Sequence, residues 1–170
     1  MKKVVILMGL SGTGKSFVAN LIAKHFGFYW IRSDLIRKEI TLKDTSEKLS
    51  VGYMKGIYTP EVTKLVYHLM MELGRDCLKK GKGIVIDATF IEDWQRELAL
   101  KYFPHAIYIN TVASEDVIKK RLMSRKDISD ADYHIYLRQK EKWKDPHYAI
   151  KLSTDRPSTM ILQDLKSLIK

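Results

Sequence analysis

Gly9-Leu10-Ser11-Gly12-Thr13-Gly14-Lys15-Ser16 follows directly on the apolar run Val4 to Met8 and leads into a helical pattern that Gly27 stops. The run before it is apolar and rich in β-branched residues, without alternation, which predicts a buried parallel strand over Lys3 to Met8. The segment after it, Ser16 to Phe26, spaces Phe17, Val18, Leu21, Ile22 and Phe26 along one helix face. The octet fits G-x-x-x-x-G-K-[ST] at every fixed position, in the strand-then-helix context that this spacing requires. Glycines let such a backbone close into a nest of N–H groups around phosphate oxygens, and the helix N-terminus adds partial positive charge. Gly12, Thr13, Gly14, Lys15 and Ser16 are therefore the expected contacts of a nucleoside triphosphate. Lys15 is expected to reach the β- and γ-phosphates, and the Ser16 hydroxyl is a candidate ligand for Mg²⁺.

Outward from the loop, strands and helices alternate. Strands are predicted at Phe28–Ile31, Ile84–Ile86, Ala106–Ile109 and Tyr148–Leu152. Helices are predicted at Asp34–Ile40 behind a Ser33 cap, from Pro60 to near Gly81, and at Ile91–Tyr102. Three more follow: Glu115 to about Arg125 behind Ser114, Ser129 to about Lys142 with a Ser129/Asp132 capping box, and Thr159–Ile169. The helix after Pro60 carries Val62, Leu65, Val66, Leu69, Met70 and Leu73 on its apolar stripe. Thr41 to Thr59 has no period and reads as a loop. The alternation predicts one α/β domain over residues 1–170, a parallel sheet with helices on both faces.

Acids stand at the ends of two predicted strands, where ligands gather in such folds. Asp34, after the second strand, is placed either to take the proton of an attacking hydroxyl or to sit in the first turn of a helix and stabilise its dipole. Arg37 shares its helix face and reads as a holder of an anionic acceptor or as the partner of Asp34. Asp87, ending the third strand, is a candidate for holding magnesium through water, or a strand-end cap. Arg121 and Arg125 lie four apart before a polar break, the pattern of a hinge that closes two guanidiniums over a triphosphate, or of a solvated basic face. Trp30, Tyr53 and Tyr58 are either base-stacking or packing residues.

Composition narrows the class. The chain has 170 residues, 45% hydrophobic and 29% charged, which excludes a disordered or fibrous chain. No apolar run approaches the ~20 residues of a bilayer span. One cysteine, Cys77, excludes an internal disulfide framework and a cysteine-based zinc site, and the five histidines have no metal-ligand spacing. The expectation is a soluble cytoplasmic protein with no membrane association and no feature calling for an obligate protein partner. Thirty basic residues against twenty acidic ones leave a net charge of +10, suited to polyanionic or phosphorylated partners.

Taken together, Gly9 to Ser16, Arg32-Ser33-Asp34 with Arg37, Gly56 to Glu61, Asp87-Ala88-Thr89-Phe90, and Lys120-Arg121 with Arg125 resemble the small P-loop kinases. The likeness, from Lys3 to about Lys142, is to the kinase domain of phage-type 5′-polynucleotide kinases. It extends to the kinase domain found fused to aminoglycoside-phosphotransferase-like domains. The resemblance implies a doubly wound five-stranded parallel sheet with a helical lid at about 121–132, ATP and Mg²⁺ as cofactors, and transfer of the γ-phosphate to a hydroxyl. It implies Lys15, Asp34, Arg121 and Arg125 as catalytic residues, with Asp34 the general base and Arg37 the clamp on an acceptor phosphate. It also implies Asp87 as an acid lining the site and Arg156 as a contact near the adenine. With the charge, it favours the 5′-hydroxyl of DNA or RNA as acceptor. A kinase for a small hydroxyl metabolite or antibiotic, or a nucleotide-binding module without transfer, are the competing expectations.

Overall fold

The computed structural model describes residues 3–44, 58–124 and 131–170. Five strands form one sheet: β1 (Val4–Met8), β2 (Tyr29–Arg32), β3 (Ile84–Asp87), β4 (Ile107–Val112) and β5 (Ile150–Ser153). Their order across the sheet is β2-β3-β1-β4-β5, and every neighbouring pair is parallel. The connecting helices are α1 (Lys15–Phe26), α2 (Ser33–Asp44), α3 (Pro60–Lys79), α4 (Asp93–Tyr102), α5 (Glu115–Met123), α6 (Ala131–Lys142) and α7 (Ser158–Ile169).

Two-residue periodicity divides β1 between the two faces of the sheet. Val5 and Leu7 join Val18, Ala19 and Ile22 of α1 and Ile161, Leu165 and Ile169 of α7 in one core. Ile6 and Met8 join Val66, Met70 and Met71 of α3 and Ala99 of α4 in the other. A third, smaller cluster packs Leu10 of the glycine loop under Ile118 and Leu122 of α5 and Tyr136 of α6. The expected α/β architecture is the observed one. All five strands present their carboxyl ends to the same edge, and β1 stands between partners that lie on opposite sides of it, the crevice where such sheets bind ligands.

Several local expectations are corrected. The buried stripe of α3 is Val66, Tyr67, Met70, Met71, Gly74 and Cys77, whereas Leu65, Leu69 and Leu73 are exposed. The helix is rotated because Gly74 faces Ile84 and Phe103, whose tips would lie 2.9 and 3.0 Å from an added Cβ. Ser33 is the first residue of α2 rather than its cap, and α2 continues to Asp44 through residues expected to be loop. Ser114 occupies the N-cap of α5 without a side-chain bond, and its N–H donates to Asp155 Oδ2 at 2.6 Å. Helix α4 starts at Asp93, with Glu92 and Gln95 forming a reciprocal capping box. The Ser129 cap and Tyr53 lie outside the described residues, as do residues 45–57.

Candidate active site

The glycine loop leaves β1 at the carboxyl edge. Gly9, Gly12 and Gly14 have φ of 145°, 79° and 91°, conformations that L side chains rarely adopt. Gly9 also has no room for a side chain: a Cβ would stand 2.7 Å from Thr111 Oγ1 and 2.8 Å from the Thr111 carbonyl oxygen. The loop is held in shape by hydroxyls. Thr13 Oγ1 donates to the Leu10 carbonyl at 2.7 Å and lies 2.8 Å from Thr111 Oγ1. Lys15 Nζ donates to the same Leu10 carbonyl at 3.0 Å. Thr154, just beyond β5, donates its hydroxyl to the Thr13 carbonyl at 2.7 Å.

Ser16 and Asp87 meet at the head of the crevice. Ser16 Oγ donates to Asp87 Oδ2 at 2.9 Å, and the Trp30 indole N–H donates to the same oxygen at 3.2 Å. Asp87 is buried, and that burial raises its pKa above the ordinary carboxylate value. The Lys15 charge and the Ser16 and Trp30 bonds pull the other way, while Asp34 adds to the rise. A hydroxyl and a carboxylate oxygen side by side are hard donors of the kind Mg²⁺ takes. Trp30 also carries the Arg32 guanidinium over its ring at 4.6 Å.

Asp34 is exposed in the first turn of α2. Arg37, one turn on, is buried. Its Nη1 donates to Thr63 Oγ1 at 3.0 Å, and its guanidinium lies 4.9 Å from the Tyr58 ring centroid. Tyr58 and Thr63 in turn line a cavity of about 780 Å³, with Thr89, Trp94, Ile135 and Gln139 among its other walls. Among the described residues that line it, Lys64, Arg138 and Lys142 are cations and Glu92 is the one carboxylate.

Behind that cavity lies a strained turn. Phe90, fully buried, has φ 53°, a left-handed conformation that costs an aromatic residue energy and is kept only where its surroundings impose it. Its N–H donates to Tyr67 Oη at 3.1 Å and its carbonyl accepts from Arg96 Nε at 2.7 Å. Arg96 is held by the Lys144 carbonyl and by the Trp143 ring, 4.7 Å away. Burial raises the Tyr67 pKa, so its phenol stays protonated.

Arg121, in the last turn of α5, lies beside the loop. Its Nη1 donates to Thr154 Oγ1 at 2.9 Å and to the Gly12 carbonyl at 3.2 Å, and its Nη2 to the Thr154 carbonyl at 2.9 Å. Arg156 pairs with Asp164 of α7 at 2.6 Å and donates from Nε to the Ser153 carbonyl. Arg125 lies outside the described residues, which also include only part of the expected lid. The structure thus brings Lys15, Ser16, Asp87, Arg121 and the glycines to one loop, and sets Asp34 and Arg37 across the strand ends from them. Sequence reasoning did not single out Thr154, Thr111, Gln139 or Tyr67, and left Trp30 without a partner.

Residues 4–148 match the AAA domain family. An adenylate kinase of Borreliella burgdorferi is 23% identical over 124 residues, 72% of this chain and 57% of that protein. The chain thus spans little more than half the length of the curated relatives it matches. Among solved structures, a sugar kinase from Janibacter superposes with a TM-score of 0.72 at 17% identity, over 98% of this chain and 94% of that one. The APS kinase of Mycobacterium tuberculosis in complex with AMPPNP and APS superposes with a TM-score of 0.71 at 17% identity, over 98% and 96%.

Proposed function

The chain belongs to the AAA domain family, and from that premise we propose that it is an ATP-dependent kinase acting on a hydroxyl acceptor. The observation that carries this reading is contiguity: the phosphate-binding loop adjoins the 780 Å³ cavity, and Gln139 and Thr89 touch both. In this reading Lys15 and the loop N–H groups hold the β- and γ-phosphates. Asp34 takes the proton of the attacking hydroxyl, and Arg37, braced by Thr63 and Tyr58, holds an anionic group of the acceptor. Ser16 and Asp87 would hold Mg²⁺, which when bound neutralises charge on the phosphates. Arg121, on the Gly12 carbonyl of the loop, adds positive charge on the triphosphate side, and Arg156 would serve as a contact near the adenine.

The cavity volume falls in the range of about 300–1,000 Å³ usual for small ligands, which favours a compact hydroxyl metabolite. A second reading, the 5′-hydroxyl end of DNA or RNA, draws on the +10 net charge and on Lys64, Arg138 and Lys142 around the cavity. The two separate by salt: polynucleotide transfer falls steeply with added salt, and transfer to a small neutral acceptor does not.

The test is transfer of labelled γ-phosphate from ATP to 5′-hydroxyl oligonucleotides, 5′-phosphorylated controls, AMP and a panel of hydroxyl metabolites. Asp34→Asn should lower transfer by roughly 100-fold or more while retaining nucleotide binding. A chain that binds ATP yet labels none of these acceptors is a nucleotide-binding module, and the kinase reading falls.

A further inference from the structure

Gln139, on the third turn of α6, lines the cavity and also reaches the tip of the phosphate-binding loop, where its Oε1 accepts from the Ser11 N–H at 2.9 Å. That N–H shares a peptide unit with the Leu10 carbonyl, which accepts from Lys15 Nζ and from Thr13 Oγ1. The tip peptide is therefore oriented from both ends: its oxygen by the lysine that serves the β- and γ-phosphates, its N–H by α6. A carboxamide whose oxygen is committed in this way keeps two N–H donors on Nε2. Gln139 lines the cavity while its oxygen reaches the loop, which puts its carboxamide at the boundary between the two. Arg138 and Lys142, on the same helix and lining the same cavity, make that boundary suited to an anionic oxygen.

We infer that Gln139 is a positioning residue that sets the register between donor and acceptor, holding the loop tip through Oε1 and offering Nε2 to the terminal phosphate. It thereby makes the site discriminate a triphosphate from a diphosphate. This rests on the kinase reading of the same site.

The experiment compares the affinities of Mg²⁺–ADP and Mg²⁺–AMPPNP for the full chain by titration calorimetry. The wild type is set against Gln139→Glu and Gln139→Leu, with melting curves to confirm folding. Gln139→Glu keeps an oxygen for the Ser11 N–H but replaces the donors with a charged acceptor. It should weaken AMPPNP by about tenfold or more, the cost of setting a like charge against the terminal phosphate, while ADP changes less than about threefold. Gln139→Leu removes a neutral bond and should weaken AMPPNP by about three- to tenfold, again selectively. If Gln139→Glu does not fold, Gln139→Leu alone decides. Equal weakening of both nucleotides, the behaviour of a contact that merely shapes the loop, overturns the inference, and so does no change in either. The comparison uses no acceptor. A wild type that transfers phosphate to nothing therefore refutes the kinase reading, while the ADP-to-AMPPNP ratio still decides the role of Gln139.

Discussion

Thr154→Val replaces one hydroxyl with a methyl at the point where β5, the glycine loop and Arg121 meet. Thr154 and Thr13 are 4% and 3% exposed, so the Thr13 carbonyl that loses its 2.7 Å donor has no water to replace it. A buried acceptor left without a partner costs about 1–3 kcal/mol. Arg121 also loses one of its two bonds to Thr154, but it is only half-buried and rehydrates, so it adds little. The expected loss is about 2 kcal/mol, which for a chain of this size lowers Tm by roughly 4–8 °C. Thr154→Ser keeps both hydroxyl bonds and should lose no more than about 1 kcal/mol, the worth of its missing methyl. Urea denaturation followed by circular dichroism measures both. The substitution also loosens the carbonyl side of the loop, so AMPPNP should bind several-fold more weakly to the valine variant than to the serine one. If Thr154→Val and Thr154→Ser are equally stable, the hydroxyl is not what holds the loop, and the reasoning fails.

Two further substitutions test other parts of the site. Tyr67→Phe leaves the buried Phe90 N–H without its acceptor and should cost about 1–3 kcal/mol in urea denaturation. AMPPNP affinity should be nearly unchanged, because that turn walls the cavity proposed for the acceptor; a loss confined to nucleotide binding would contradict this placement. Asp87→Asn bears on pH. Burial raises the Asp87 pKa, so the folded state holds its proton more tightly than the unfolded one. Stability from this group is full below the ordinary value of 3.8 and is lost as the pH rises through the raised value. Without magnesium, the asparagine variant should therefore melt higher than wild type at neutral pH, with the advantage vanishing below the ordinary carboxylate range. An advantage that persists in acid would point to packing rather than charge.

The parts of the site legible in the sequence are those built from neighbours along the chain. The glycine loop is eight consecutive residues, and Asp87 is recognisable as an acid ending an apolar strand. Contacts across the fold left no such trace. Thr154 meets Thr13 across 141 positions, Gln139 meets Ser11 across 128, and Trp30 meets Asp87 across 57. Each depends on the strand order, which residue types do not announce. The α3 stripe misled for a related reason: its leucines match helical spacing, but the sheet surface accepts the face that carries Gly74, where backbone approaches Ile84 and Phe103. Nor does an aromatic residue signal a left-handed turn; Phe90 adopts one because Tyr67 and Arg96 hold its two polar groups.

The position of β1 at the centre of the sheet has a consequence for how the molecule comes into being. Its two partners begin at residues 84 and 107, so the first strand made waits for about half of the chain before one edge is paired and for nearly two thirds of it before both are. Such non-local pairing slows folding and leaves an apolar strand edge open to other chains in the meantime. Nascent or truncated chains ending before residue 107 would display Val4 to Met8 with one side uncovered. Thr111 and Thr154, the hydroxyls that shape the phosphate loop, arrive later still. The final shape of the loop is thus acquired only when nearly the whole chain is present, and on the proposed function a bound nucleotide would stabilise the finished fold rather than guide its early stages.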